Sequence, residues 1–188
     1  MNVLTVPVDD HHYDLARELL STRPVYRRSH RGEAANEVGC LGEAVVYSTL
    51  ADTYRLEVEP VFDTTHDLEL ADGSTVEVKT KDRTVAPRPD YDCSVPDYVA
   101  DHQHADFYVF VSLQRDKGVD EGLERFHTAH LVGVGSPHML ARKGRLMEAG
   151  TTDTNGTTFW TSCRNIAIGD LVPFRDVLLL WQDTHRNN

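Results

Sequence analysis

The chain has 188 residues, with 19 Lys or Arg against 30 Asp or Glu, so its formal net charge is −11 at pH 7. With 40% hydrophobic and 26% charged residues the composition is that of a globular protein, which excludes a disordered, collagen-like or coiled-coil chain. No run of about 18 apolar residues occurs and the N-terminus lacks a leader-like pattern, so we expect neither a membrane span nor a signal peptide.

Cysteine usage points to a reducing compartment. The three cysteines, Cys40, Cys93 and Cys163, are odd in number and far apart, and no CxxC pair occurs. This pattern supports neither a zinc ribbon nor a disulfide framework. We therefore expect a cytoplasmic protein, in the host cytoplasm if a phage encodes it.

The N-terminal third reads as helical. Residues 11–21 predict a short helix and residues 22–32 a loop, and residues 33–52 predict a second helix with apolar side chains at i, i+3 and i+7. Gly39 and Gly42 lower the helix propensity of this segment, which indicates that another element packs close to it.

After residue 52 the apolar period changes to that of strands. Residues 67–71 and 74–80 flank Asp72-Gly73, a strong signal for a two-residue hairpin. The nearly continuous apolar run 106–113 predicts a central, buried strand. The other expectations are strands at 54–62, 130–135 and 158–168, loops at 82–96 and 150–157, a short helix at 97–105, a helix or irregular arm at 137–148, and a final apolar segment at 177–181.

The predicted hairpin carries the chemistry. Glu77 and Lys79 are two residues apart on a strand, so both project on one face, roughly 6.6 Å apart along the strand, while Val76 and Val78 take the other face. The turn brings Asp67 on the preceding strand towards Glu77 or its neighbour. Two carboxylates and an ammonium then converge at one end of a sheet.

This grouping suits metal-assisted hydrolysis of phosphodiesters. Mg²⁺ prefers a few carboxylate oxygens, keeps several waters, and takes substrate phosphate oxygens for the rest. It turns bound water into a nucleophile and offsets the charge that develops on phosphorus, while a neighbouring lysine adds electrostatic stabilisation. The alternative reading of the E-x-K strand is an edge strand with one solvated polar face.

A third carboxylate, Glu43, lies on the predicted second helix. At 100° per residue its neighbours on the helix surface, such as Gly39, Cys40 and Val46, are small or apolar. A carboxylate buried there needs a cation as partner. The alternative is a helix edge from which Glu43 reaches solvent.

The motif Asp67, nine residues, then Glu77-Val78-Lys79 resembles the PD-(D/E)xK nuclease superfamily, with His66 where the family name has Pro. The predicted order over residues 33–113 is similar to its restriction-endonuclease-like αβββαβ core. The resemblance implies an α/β fold with a mixed central sheet flanked by helices. It implies a single nuclease domain over residues 1–188, with a core at about 33–135 and a β-rich C-terminal extension at about 136–188.

Two further stretches look like a group of phage and prophage nucleases. One is Ala105-Asp106-Phe107-Tyr108, which enters the buried strand, and the other is the tail from Asp153 to Phe174.

The resemblance also implies roles for the residues of the motif. Asp67, Glu77 and the Val78 carbonyl would bind Mg²⁺ or Mn²⁺, and Glu43 would support a second metal or orient its water. Lys79 would activate the attacking water or stabilise the transition state. DNA is the implied substrate, and nothing in the residues excludes RNA.

Basic residues near this motif are candidates for nucleic-acid contacts. Arg27 and Arg28 precede the helix of Glu43, and Lys81 lies two residues beyond Lys79 on the same strand face. Gln103 matches a Gln that some branches of the superfamily carry after the core motif. For each of these four residues a plain surface position is the alternative.

Two other functions stay open. A small acidic chain can act as a DNA mimic or inhibitor that occupies a phosphate-binding groove, and an inactive family member can bind nucleic acid without cutting it. The sequence leaves undecided the shape and sequence of the substrate, endo- or exonucleolytic action, one or two metals, and whether a homodimer forms.

Overall fold

A computed structural model describes residues 2–22, 33–62, 65–97, 105–153, 156 and 158–186. In these ranges the chain forms nine strands, four α-helices, one π-helical turn and two 3₁₀ turns. They are, in chain order, β1 (Leu4–Pro7), α1 (Asp10–Thr22), α2 (Glu33–Ser48), a π-helical turn (Thr49–Thr53), β2 (Val58–Pro60), β3 (Leu68–Leu70), β4 (Thr75–Arg83), β5 (Asp92–Pro96), β6 (Phe107–Arg115), a 3₁₀ turn (Leu123–Arg125), β7 (Phe126–Gly135), α3 (Pro137–Lys143), β8 (Arg145–Met147), β9 (Cys163–Ala167), a 3₁₀ turn (Ile168–Asp170) and α4 (Phe174–Arg186).

The main sheet has six strands in the order β1-β7-β6-β4-β3-β2. Among the strands of the described residues, β4 and β6 form its one parallel pair, in which Glu77 lies opposite Tyr108 and Lys79 opposite Phe110. The remaining neighbours are antiparallel. The protein is therefore a mixed α/β structure, and β6 is an inner strand, as its apolar run predicts.

Side chains on the two faces of this sheet belong to two separate cores. On one face Val76 and Val78 pack with buried residues of α1, α2 and α4. On the other face Tyr108 and Phe110 pack with residues of α3 and of a second, antiparallel sheet of order β5-β9-β8. The alternation of side chains along each strand separates these two sets.

Helix α2 lies directly against β4. A Cβ on Gly42 would come within 1.9 Å of Thr80 Oγ1 and 2.9 Å of Thr80 Cβ, so only glycine fits there. This contact confirms that another element packs close to the helix at Gly42. At Gly39 the nearest atom to such a Cβ is 4.0 Å away, which is ordinary contact.

Two predictions about local structure are wrong. Residues 82–96 are not one loop, because β4 continues to Arg83 and β5 occupies Asp92–Pro96 with Cys93 and Val95 buried in alternation. The prolines in this stretch favour a loop in the sequence, but they lie outside β5 or at its last residue.

The C-terminal region is also less β-rich than predicted. In its described part it contains two short strands and two helices, α3 and α4. The final segment, which the sequence predicts only as apolar, lies within helix α4. Its buried side chains recur at i, i+3, i+4 and i+7, the pattern of an amphipathic helix: Phe174, Val177, Leu178 and Trp181.

The remaining differences are smaller. Strand β2 is shorter than the predicted strand at 54–62, and β1 had no predicted counterpart. The predicted loop at 22–32 and helix at 97–105 fall almost wholly outside the described residues. None of the described helices is long and apolar enough to cross a membrane. None of the three cysteines forms a disulfide, in agreement with the prediction.

Candidate active site

The β3–β4 hairpin positions the candidate site. It turns at Asp72-Gly73 as predicted, but its loop has three residues instead of the predicted two, because the Leu70 N–H donates to the Ser74 carbonyl at 2.9 Å. Gly73 has φ of 80°, a conformation that glycine adopts without strain, and the Asp72 side chain accepts a hydrogen bond from the Ser74 N–H at 2.9 Å. Leu68 pairs with Val76. Asp67 immediately precedes this pair and lies beside β4, whereas a two-residue turn would have paired Asp67 with Val78.

Asp67 is held by the backbone of β4. Its N–H donates to the Val76 carbonyl at 3.0 Å, and its Oδ2 accepts a hydrogen bond from the Val78 N–H at 2.7 Å. The residue is 9% exposed. Because the N–H and C=O of one strand residue point to the same strand edge, the Val78 carbonyl faces the same edge as the Asp67 carboxylate.

Glu77 and Lys79 form a close ion pair on one face of β4. The Lys79 ammonium donates to Glu77 Oε1 at 2.5 Å, and Glu77 is 4% exposed, whereas the Lys79 side chain is 21% exposed. This geometry confirms that the two side chains share a face. The buried carboxylate is thus held by a cation that reaches the surface.

The donor set at this strand end fits a hard divalent cation. Asp67 and Glu77 carry buried carboxylates, and Asp67 lies at the strand edge that the Val78 carbonyl faces. Oxygen ligands of these kinds are those that Mg²⁺ takes. Among the residues that the structure describes, no three His, Cys, Asp or Glu side chains converge on one point. A cation here would therefore draw its remaining ligands from water and substrate.

Glu43 is buried, at 5% exposure, on α2. It follows Gly42, the point at which α2 touches Thr80 of β4, and Thr80 projects from the face of β4 opposite to Glu77 and Lys79. Burial rules out the alternative in which Glu43 simply reaches solvent. It is not part of a three-carboxylate cluster with Asp67 and Glu77 in the described residues, so its metal role stays a prediction.

Lys81 has partners inside the protein. Its ammonium donates to the Asp92 carbonyl at 2.8 Å and to Ser94 Oγ at 3.0 Å, and burial lowers the pKa of this ammonium. The Arg83 guanidinium donates to the same Asp92 carbonyl at 3.2 Å. These bonds tie the second half of β4 to the second sheet, and they give Lys81 a structural role that sequence reasoning did not foresee.

The other candidate contacts, Arg27, Arg28 and Gln103, lie outside the described residues.

Sequence reasoning also missed Tyr108 as a neighbour of the site. It lies opposite Glu77 in the parallel register of β4 and β6. Burial raises the pKa of the Tyr108 phenol, the Lys79 ammonium opposes this effect and the Glu77 carboxylate adds to it. The motif Ala-Asp-aromatic-Tyr marked this residue, but only the strand pairing places it beside the ion pair.

Comparisons with known proteins do not assign the chain to a family. No protein-family model matches it, and no curated protein matches its sequence.

Proposed function

We propose that this protein is a Mg²⁺- or Mn²⁺-dependent nuclease that hydrolyses phosphodiester bonds, with DNA as the favoured substrate. The observation that carries the proposal is the arrangement at the end of the hairpin. Asp67 is bonded to the Val78 N–H at 2.7 Å, and the residues on either side of Val78, Glu77 and Lys79, are paired at 2.5 Å. This is the set of groups that the D…ExK motif requires.

The strand order supports a restriction-endonuclease-like core. Helix α2 is followed by β2, the β3–β4 hairpin and then β6, which pairs in parallel with β4. A parallel neighbour needs a crossover connection, and residues 84–106 supply it.

Asp67, Glu77 and the Val78 carbonyl would hold the metal. When bound, the metal supplies a nucleophilic water near neutral pH and offsets the charge that develops on the phosphate. The hydrogen bond from the Val78 N–H fixes the Asp67 carboxylate against β4. Glu43 would act from α2 on a second metal or its water.

Lys79 has two tasks in this proposal. One N–H of its ammonium orients Glu77, as in the 2.5 Å contact, and an ammonium carries three donors in all. In this proposal the ammonium also positions the attacking water and stabilises the negative oxygens of the transition state. Its partly exposed position lets Lys79 meet a phosphate from outside.

The test uses charge-neutral variants with matched controls. Glu77→Gln and Lys79→Gln should lower metal-dependent cleavage by about 10²–10³-fold, and Glu77→Gln should also lose Mg²⁺ binding in calorimetry. Cleavage is assayed on single-stranded, duplex and branched DNA and on RNA. Glu69→Gln, exposed on β3, and Lys117→Gln, exposed beyond β6, make the same changes away from the site and should leave cleavage intact.

Each outcome is informative. Both site variants cleaving like wild type would refute the assignment. Binding of nucleic acid without metal-dependent turnover would indicate an inactive family member. Absence of metal binding, together with a salt-sensitive complex with a basic protein, would indicate a DNA mimic. Sizing of the active protein would show whether the possible homodimer forms.

The three reduced thiols are consistent with action in the cytoplasm.

A further inference from the structure

Tyr108 lies beside the ion pair of the candidate site. It is the cross-strand neighbour of Glu77 on the parallel pair of β4 and β6, and Phe110 is the neighbour of Lys79. Residues opposite each other on paired strands project to the same face. The phenol therefore shares a surface with the Glu77 carboxylate and the Lys79 ammonium.

The surroundings of the Tyr108 ring are apolar. The residue is 4% exposed and packs in the core cluster that contains Phe110, Cys93 and Val95. A buried tyrosine hydroxyl usually has a hydrogen-bond partner, and Tyr13 follows this rule because its hydroxyl donates to the Phe126 carbonyl at 2.8 Å.

The Tyr108 hydroxyl differs from that of Tyr13. It makes no hydrogen bond with a residue in the described ranges. Its oxygen is not one of the fully buried polar atoms that lack a partner, so this oxygen is in contact with solvent. The core holds the ring in place, and the hydroxyl remains available to a group that approaches from solvent.

We propose that the Tyr108 hydroxyl donates a hydrogen bond to a non-bridging oxygen of the substrate phosphate bound at Glu77 and Lys79. This inference rests on the proposed nuclease function. A hydroxyl that donates to an anionic oxygen forms a charge-assisted hydrogen bond, about twice as strong as a neutral one. The bond strengthens further as negative charge accumulates on that oxygen in the transition state.

Tyr108→Phe removes only the hydroxyl, and Tyr13→Phe is the matched control. Tyr108→Phe should lower kcat/KM by about 10- to 100-fold and weaken oligonucleotide binding about 10-fold, with an unchanged melting temperature. Tyr13→Phe should do the reverse, lowering the melting temperature by about 2–8 °C with unchanged cleavage. Binding is followed by anisotropy of a fluorescein-labelled oligonucleotide in Ca²⁺, with its intactness checked on a gel.

The outcomes separate this inference from the proposed function. If the wild type cleaves and Tyr108→Phe keeps full activity and affinity, the proposed role of Tyr108 is refuted and the nuclease proposal stands. A fall in melting temperature without a change in affinity would also overturn it, because packing alone would then explain the residue. Absence of cleavage by the wild type on every substrate would overturn the nuclease proposal and this inference with it.

Discussion

Replacing Gly42 by alanine tests how closely α2 is seated on β4. The added Cβ would meet Thr80 Oγ1 at 1.9 Å and the Cβ and Cγ2 of Thr80 at 2.9 Å. Thr80 cannot move away easily, since it lies within a nine-residue strand that is paired with β6. The helix that carries Glu43 must therefore shift.

Two opposing effects set the magnitude. Alanine is favoured over glycine inside a helix by about 1 kcal/mol. Overpacking a well-filled contact costs about 1–3 kcal/mol, and contact distances of 1.9 and 2.9 Å place this site at the upper end. We expect a net loss of about 1–2 kcal/mol, which for a chain of this size lowers the melting temperature by about 2–8 °C.

Urea and thermal unfolding followed by circular dichroism measure this loss. Gly39→Ala is the control, because it lies one turn earlier on the same helix with no neighbour nearer than 4.0 Å. It should raise the free energy of unfolding by about 0.5–1 kcal/mol. Adding Thr80→Ala to Gly42→Ala should recover part of the loss. A Gly42→Ala protein as stable as the wild type would refute the close seating of α2.

Two further predictions concern buried polar groups. Lys81→Met should lower the free energy of unfolding by about 1–3 kcal/mol, because it removes the ammonium that donates hydrogen bonds to the Asp92 carbonyl and to Ser94 Oγ. Oligonucleotide affinity should not change. Reduced affinity at unchanged stability would instead identify Lys81 as a nucleic-acid contact. Burial lowers the pKa of His130, with a smaller contribution from His127. Its neutral form is therefore favoured in the folded state, and its contribution to stability is complete above the unfolded-state value of about 6.5 and is lost as pH falls through the lower folded value. His130→Gln should flatten the stability profile below pH 6.5 and exposed His138→Gln should not; equal profiles for wild type and His130→Gln would contradict this.

The features that the sequence predicts well are local. The Asp72-Gly73 turn depends on the backbone freedom of one glycine, and the shared face of Glu77 and Lys79 follows from the two-residue period of a strand. Each of these needs only a few neighbouring residues, so a short stretch of sequence is enough to predict it.

The predictions from local composition are wrong where tertiary contacts determine the secondary structure. Strand β5 forms next to several prolines because pairing with β9 and burial of Cys93 and Val95 stabilise it. The C-terminal segment becomes a helix because one face, including Phe174 and Trp181, is covered by the main core.

The amino-acid sequence alone predicts the hairpin and the chemical character of its charged end. The surroundings of that end depend on long-range packing, which places Tyr108 beside Glu77, Lys81 against β5 and Gly42 against Thr80. These contacts join elements that are distant along the chain. They depend on which strands pair and which faces pack, and no short-range pattern of residues encodes that choice.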